Sequence, residues 1–290
     1  MDTNTLNSGN KAERLDALRR LVGEGKRVES NGSVNNHIHT FYSFSPYSPS
    51  KAVWMAYLSG LNTAGIMDHD SVAGTEEFLA AGEIVGVATT NGVECRANFA
   101  DTALAGRRIN NPDQKTIAYL ALHAIPHKNI GTVAEFFKPY QAARNARNRA
   151  MTEKINQITG GVNLALDFDR DILPLSKADE GGSVTERHLL YALALKIIEH
   201  TGQGGAALDL LGKLGVRVSG AAAEYLKDAE NDFYAYDLLG VLKSAMVEQF
   251  YIGAADECPR AEEVVAFSKK IGAVAAYAYL GDVGDSVTGD

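Results

Sequence analysis

The sequence predicts an α/β fold, on three observations. Strand-like and helix-like segments alternate over residues 33–96, ionisable residues gather at the ends of three of the strands, and a long helix-rich stretch intervenes before a last strand pattern. Alternation of this kind is the mark of parallel βα units. In such units the working residues collect where strands end and loops open on one face.

Taken in order, KAERLDALRRLVG (11–23) reads as an amphipathic helix with Leu15, Leu18 and Leu21 near one face and Gly23 as a stop. SVNNHIHT (33–40) reads as a strand delivering its last residues to a polar rim, and the serines and prolines of 43–50 mark a loop. A helix follows over 51–59, with Gly60 placed to cap it. AGIMDHD (64–70) is a short buried strand that ends in three ionisable residues. Residues 75–85 form the next helix and 87–96 the next strand. An excursion rich in turn residues (97–114) leads to an apolar segment, 115–129, that finishes in histidines.

From 131 to about 270 the pattern is mostly helical. Ser183 and Glu186 are spaced as a capping box at the start of one of these helices. After Pro259 come one more helix and a strand, 273–281, and the sequence then stops without another helix. A parallel strand needs crossover helices on its faces. The expectation is a metal-binding βα domain from 1–130, a helical insertion from 131–258, and a return at 259–290 that leaves the domain incomplete at its C-terminus.

Composition narrows the function classes. An apolar share of 46% supports a core, and a net charge of -8 gives no case for a dedicated nucleic-acid surface or a polybasic membrane anchor. The two cysteines, Cys95 and Cys258, are too few for a disulfide scaffold. No apolar run reaches the length of a membrane span, and the N-terminus carries no secretory pattern, so a cytoplasmic setting is expected.

The chemistry is carried by the strand ends. His37 and His39, two apart on a strand, leave the same face and can converge on an ion. Such a pair is also common at an ordinary surface. Asp68-His69-Asp70 adds a third imidazole, with Asp68 or Asp70 able to hold its second ring nitrogen; helix capping by Asp70 or Ser71 is the plainer reading. Glu94 can bridge two cations, while Cys95, on the opposite face, belongs to the core. His123 ends the next apolar run and reads equally as a ligand or a core histidine. Mixed histidine and carboxylate shells suit Zn, Mn or Fe, with Mg a further candidate although it prefers oxygen ligands.

Arg187 and His188 begin a helix, where free N–H groups and a guanidinium fork suit a phosphate; an ordinary capped surface helix is the alternative. Arg96, Arg107, Arg108 and Lys128 are further contacts for an anion. Arg144, Arg147 and Arg149 read as the solvated side of a helix.

HIHT (37–40), IMDHDSVAG (66–74), GVE (92–94) and His123 together resemble the PHP family, the polymerase and histidinol phosphatase superfamily, and in particular its metal-dependent phosphoesterases. The resemblance implies a distorted (β/α)7 barrel with two or three metal ions at the strand ends, and a helical insertion whose motif ERHL (186–189) resembles. It implies that His37 and His39 bind a first metal, Glu94 bridges it to a second served by His123, and His69 belongs to a third. Arg187 or His188 would approach the substrate phosphate, and Asp68, Arg187 and His188 are the candidate catalytic residues. The chain departs from the family where Ser43-Phe44-Ser45 replaces a serine–aspartate–glycine run, since Phe44 cannot bind a cation. A C-terminal histidine–proline element is replaced by AYAYLGD, where Asp282 is the substitute ligand.

The expected activity is hydrolysis of a phosphoester on a small phosphorylated metabolite or nucleotide. Two alternatives stand beside it: a non-catalytic metal- or ligand-binding protein with a degraded site, and a metal-dependent hydrolase of a non-phosphate bond. The exposed edge of an incomplete sheet would favour self-association.

Overall fold

A computed structural model of the chain describes residues 3–25 and 28–279. It divides into two compact units, the first drawing its described residues from 1–143, 177–183 and 254–290, the second from 144–176 and 184–253. The division falls inside a single long helix and returns residues 177–183 to the first unit, so the helical stretch expected at 131–258 is shared between the two.

The first unit is built on a five-stranded sheet in the order β1 (Val34–Ile38), β2 (Thr63–His69), β3 (Ala88–Asn98), β4 (Ile117–His123) and β5 (Val274–Tyr277). β1, β2 and β3 are parallel, as the alternating pattern predicts, whereas β4 and β5 each run antiparallel to the preceding neighbour. The described residues thus form an open mixed sheet rather than seven parallel strands. The reason lies in the connection: residues 99–116 contain turns but no helix. A parallel return normally needs a crossover helix, whereas an irregular excursion can fold straight back.

Helices α1 (Lys11–Glu24), α2 (Pro49–Leu58) and α3 (Thr75–Val85) pack on one side of the sheet. Their ends follow from local chemistry. Asn10 accepts from the backbone N–H of Ala12 at 2.8 Å, Ser48 accepts from Lys51 N–H at 3.0 Å with Pro49 at the first helical position, and Gly86 closes α3 at φ 76°. Leu18 and Leu21 of α1, Val53 and Trp54 of α2, and Phe78 and Ala81 of α3 meet Ala64 and Ile66 of β2. A second cluster joins Val93, Cys95 and Ala97 of β3 and Leu120 and Leu122 of β4 to Val133 and Phe137 of α4 (Ile130–Thr159) and Val264 and Ile271 of α9 (Ala261–Ile271).

Because side chains alternate along a strand, this packing sorts the sheet into two faces. The helix-covered face takes Ala64, Ile66, Val93, Cys95, Leu120 and Leu122. The other face is left to Met67, His69, Glu94, Arg96, Tyr119 and His123. Cys95 is fully buried in the core, as expected.

In the second unit α5 (Glu186–Thr201), α6 (Gly205–Lys213), α7 (Gly220–Lys227) and α8 (Tyr234–Phe250) follow one another. Leu189, Leu193 and Ile197 of α5 and Leu238, Leu242 and Met246 of α8 are fully buried at helical spacing. Two expectations need correction here. α5 begins at Glu186 behind an N-cap of Thr185, so its capping box is formed by Thr185 and His188 rather than by Ser183 and Glu186. Arg144 and Arg147 are buried rather than solvated: Arg147 pairs with Glu186 and donates to the carbonyl of Ile252 at 2.6 Å. Arg149 does lie on the solvated side, where it pairs with Asp169 at 2.5 Å. Among the described residues no helix is long and apolar enough to cross a membrane.

Candidate metal centre

Glu94 organises the site. It sits within β3, directly opposite His69 in the parallel register with β2, so the two side chains emerge side by side on the face that the helices leave uncovered. His69 Nδ1 lies 3.2 Å from Glu94 Oε2. β3 runs on to Asn98, so Glu94 is level with the end of β2 without ending its own strand.

His37 and His39 arrive from β1 by way of an irregularity. Asn35 pairs with Ala64 and Ile38 with Ile66, so three steps along β1 oppose two along β2. A bulge of this kind adds a residue and re-aims its neighbours. Gly65 permits it, since a Cβ there would lie 2.8 Å from Asn36 Cα and 2.9 Å from Asn36 O. His37 Nε2 reaches within 3.5 Å of Glu94 Oε1, and His39 Nε2 within 3.8 Å of Oε2. The ligand atoms of His37, His39 and Glu94 lie within 4.8 Å of one another. The ring centroids of His39 and His69 are 4.6 Å apart, and those of His37 and His39 5.1 Å. Three imidazoles from β1, the turn after it and β2 thus face one carboxylate.

His123, the last residue of β4, pairs with Gly92 and stands one pleat behind Glu94 on the same face. It joins the cluster electrostatically. Burial holds its imidazole below the ordinary range, the charge of His37 adds to that, and Glu94 opposes it. For His37, Glu94 raises the imidazole above the ordinary range, against the opposite pull of burial.

The donor set suits a divalent cation. Glu94 is 6% exposed, and a carboxylate so buried is costly unless paired. Its neighbours are imidazole nitrogens, which pair with it as cations only when protonated. A mixed nitrogen and oxygen shell of this composition accepts Zn, Mn or Fe.

Asp68 turns away from these ligands. It points to the helix-covered side, is 1% exposed, and accepts from Thr40 N–H, Thr40 Oγ and Ser43 Oγ, each at 2.6 Å. Its carboxyl is raised above the usual range by burial, with the hydrogen bonds from Ser43 and Thr40 opposing. These hydrogen bonds go to the turn after β1 rather than to the His69 ring, because neighbouring residues of a strand face opposite ways. Asp70 follows in a left-handed conformation at φ 49°, its N–H donating to the Glu94 carbonyl at 2.8 Å.

Arg96, two residues beyond Glu94 on the same face, donates from Nε to Tyr119 Oη at 3.2 Å and lies 3.5 Å from Glu257. The Tyr119 ring is 5.7 Å from that of His69. Arg187 and His188 belong to the second unit. Arg187 is exposed, whereas His188 is 1% exposed and accepts from Thr185 N–H at 2.9 Å through Nδ1. Burial pushes its pKa down to about 3. Asp282 lies outside the described residues. Thr40, Ser43 and Tyr119 are the neighbours of the site that the sequence did not reveal. HIHT and SFS contain the first two, but nothing in their spacing points to a carboxylate on the adjacent strand.

No family model matches the chain. One curated relative, the 5'-3' exoribonuclease of Haemophilus influenzae, is 36% identical over 63 residues, which amount to 22% of this chain and 23% of that protein. The chain therefore matches about a quarter of that relative's length. Among solved structures, the fold is similar to a protein from Bifidobacterium adolescentis assigned as a metal-dependent phosphoesterase. That likeness has a TM-score of 0.54 at 21% identity, over 88% of this chain and 69% of that one. It is equally similar to an amidohydrolase from Chromobacterium violaceum with bound sulfate, with a TM-score of 0.55 at 17% identity over 87% and 68% of the two chains. At these identities the likeness is one of fold: this chain has the α/β architecture on which both neighbours are built.

Proposed function

We propose that this chain is a metal-dependent hydrolase that cleaves a phosphoester on a small phosphorylated metabolite or nucleotide, on a PHP-like fold. The observation that carries the reading is the buried Glu94 carboxylate with the nitrogens of His37, His39 and His69 within 3.8 Å of its oxygens. Packing alone does not bring three imidazoles from separate elements to one buried acid.

His37, His39 and Glu94 would hold one ion, and Glu94 with His69 and His123 would hold a second. A divalent ion in such a shell supplies Lewis acidity for a phosphoryl oxygen and a lowered pKa for water. The chain's own residues supply the rest. Glu94 offsets the cationic charge that neutral imidazoles leave uncompensated, and it orients His69 and His37 by direct contact. Arg96 and Tyr119 place a guanidinium and a phenol on the same face, next to the ligands, where oxygens of an anionic substrate would find donors. Arg187, from its motif, is proposed to contact a substrate phosphate. His188, held as a neutral acceptor for Thr185, orders the helix start that carries Arg187.

The described activities of similar proteins support this choice of bond. A ribonuclease cleaves phosphodiesters, and one structural neighbour is assigned as a phosphoesterase. A second reading, hydrolysis of an amide, has the description of the Chromobacterium violaceum protein for support.

The experiment is a turnover screen on the purified, undenatured chain with Mn, Zn or Fe added in turn. Nucleoside monophosphates, short oligonucleotides, sugar phosphates and amide substrates would be compared. Phosphoester cleavage that EDTA abolishes and added metal restores is the expected result. Metal binding without turnover of any phosphoester would overturn the assignment in favour of a binding protein, and cleavage of amides alone would favour the second reading.

A further inference from the structure

The turn that follows β1 closes around Asp68. Ser43 N–H and Phe44 N–H both donate to the Thr40 carbonyl, at 3.1 and 3.2 Å, so residues 40–44 form one compact bend. Within it, Asp68 Oδ1 receives two donors, Thr40 N–H and Ser43 Oγ, each at 2.6 Å. Oδ2 meets Thr40 Oγ at 2.6 Å. All three residues are buried, with Thr40 at 0%, Ser43 at 1% and Asp68 at 1% exposure.

Ser43 has a second partner, for its Oγ lies 3.3 Å from His39 Nδ1. A hydroxyl carries one proton. Oδ1 already accepts a backbone N–H, so it is an acceptor whatever the state of Oδ2, and the Ser43 proton goes to it. Towards His39 the same oxygen can then only accept. Nδ1 of His39 must then carry a hydrogen to complete the contact, so that in the neutral ring Nε2 is the unprotonated nitrogen. Nε2 is the atom that faces Glu94 Oε2 across 3.8 Å. A lone pair opposite a carboxylate oxygen is an arrangement that a cation between them satisfies.

We infer that Ser43 is a positioning residue that relays the Asp68 carboxylate to His39, holding the imidazole in its Nδ1–H form with Nε2 presented to the metal. Ligating histidines commonly donate their second N–H to a carboxylate or carbonyl. Here a serine stands between histidine and acid, because Asp68 emerges on the helix-covered side of β2 and the bend bridges the gap. This gives Asp68 a role at one remove from the reacting atoms. It also gives Ser43 a purpose in a run where Phe44 cannot bind a cation. The inference rests on the proposed metal centre, but its first readout does not need the metal.

The first arm is ring 15N NMR of His39 in the metal-free wild-type protein, at a pH where the imidazole is neutral. Nδ1 is expected to be protonated and Nε2 not. In the second arm, calorimetric titration with Zn or Mn compares wild type with Ser43→Ala and Ser43→Thr. The alanine variant, which keeps both Thr40 bonds to Asp68, is expected to bind on the order of 10- to 100-fold more weakly, while threonine restores affinity to within a few-fold. A wild-type His39 protonated at Nε2, or a folded Ser43→Ala variant with unchanged affinity, would overturn the inference. Should the alanine variant fail to fold, the wild-type spectrum still decides. A wild-type chain that shows the Nδ1–H form but binds no metal would sink the metal centre and leave the hydrogen-bond relay standing. Metal binding with the opposite tautomer would do the reverse.

Discussion

His188 shows how one residue can carry a fold requirement that its chemistry disguises. As a histidine beside Arg187 at a helix start it reads as a phosphate contact, yet its ring is buried and its Nδ1 serves the Thr185 N–H. Burial takes its pKa to about 3, well below that of a histidine in the unfolded chain. The unfolded chain therefore binds a proton as pH falls below about 6.5 and the folded chain does not, until about pH 3. The stability held by neutral His188 is complete above that window and is lost through it, at roughly 1.4 kcal/mol per pH unit. Glutamine suits the same capping position and does not titrate. Denaturant unfolding of His188→Gln between pH 7 and pH 4 should lose less stability on acidification than wild type. Parallel pH profiles for the two would show that the ring is not held neutral. Arg147 makes a related point. Helical spacing alone places it on a solvated face, and its partner Glu186 stands 39 positions away, beyond the reach of any local pattern.

At the scale of elements, the bulge in β1 does most to aim the ligands, and Gly65 allows it. An added methyl at 65 would also meet Thr90 Cγ2 at 2.7 Å. Gly65→Ala should cost about 1–3 kcal/mol as an overpacking change. Because it displaces the strand that carries His37, it should weaken metal binding as well. Thermal melts with and without metal would check both, and an unchanged affinity would mean that the bulge does not aim His37.

α1 is tied to α3 by a buried ion pair, Arg14 with Glu77, in which Arg14 Nε donates at 2.9 Å. Glu77 also accepts from Ser50 Oγ at 2.7 Å, which draws in α2. Arg14→Ala strands that acid and should cost about 3–5 kcal/mol, much of it recovered by replacing both partners with apolar residues of similar size. Urea titration of the single and double variants measures it. A loss below 1 kcal/mol for the single change would mean that water reaches the pair.

The helices were legible because their apolar spacing, caps and glycine stops agree, and β1 to β3 because strand-like runs alternate with those helices. The direction of β4 was not. An apolar run buried on a sheet reads alike in either sense, and the signal, an excursion without a helix at 99–116, lies outside the strand itself.

Over the whole molecule, the structure gathers His37, His39, His69 and Glu94 from three stretches of chain separated by more than twenty residues each. Strand ends meeting at one rim made that legible, since a parallel sheet brings equivalent ends together whatever the loops between them. The division into two units was less legible, because residues 177–183 and 254–279 return to the first unit from within a stretch of helices and short turns.

If these imidazoles and the Glu94 carboxylate hold divalent cations, the metal stoichiometry of the purified protein will show it. Wild-type protein and Glu94→Gln, purified without chelators or denaturants, would each be analysed for Zn, Mn and Fe and then titrated with the metal found. At least one tightly held equivalent is expected in the wild type, and in Glu94→Gln a loss of affinity of about 100-fold or more with the fold retained, since the substitution removes the charge at the middle of the shell. A wild-type chain that holds none of these metals, and takes none up on titration, would contradict it.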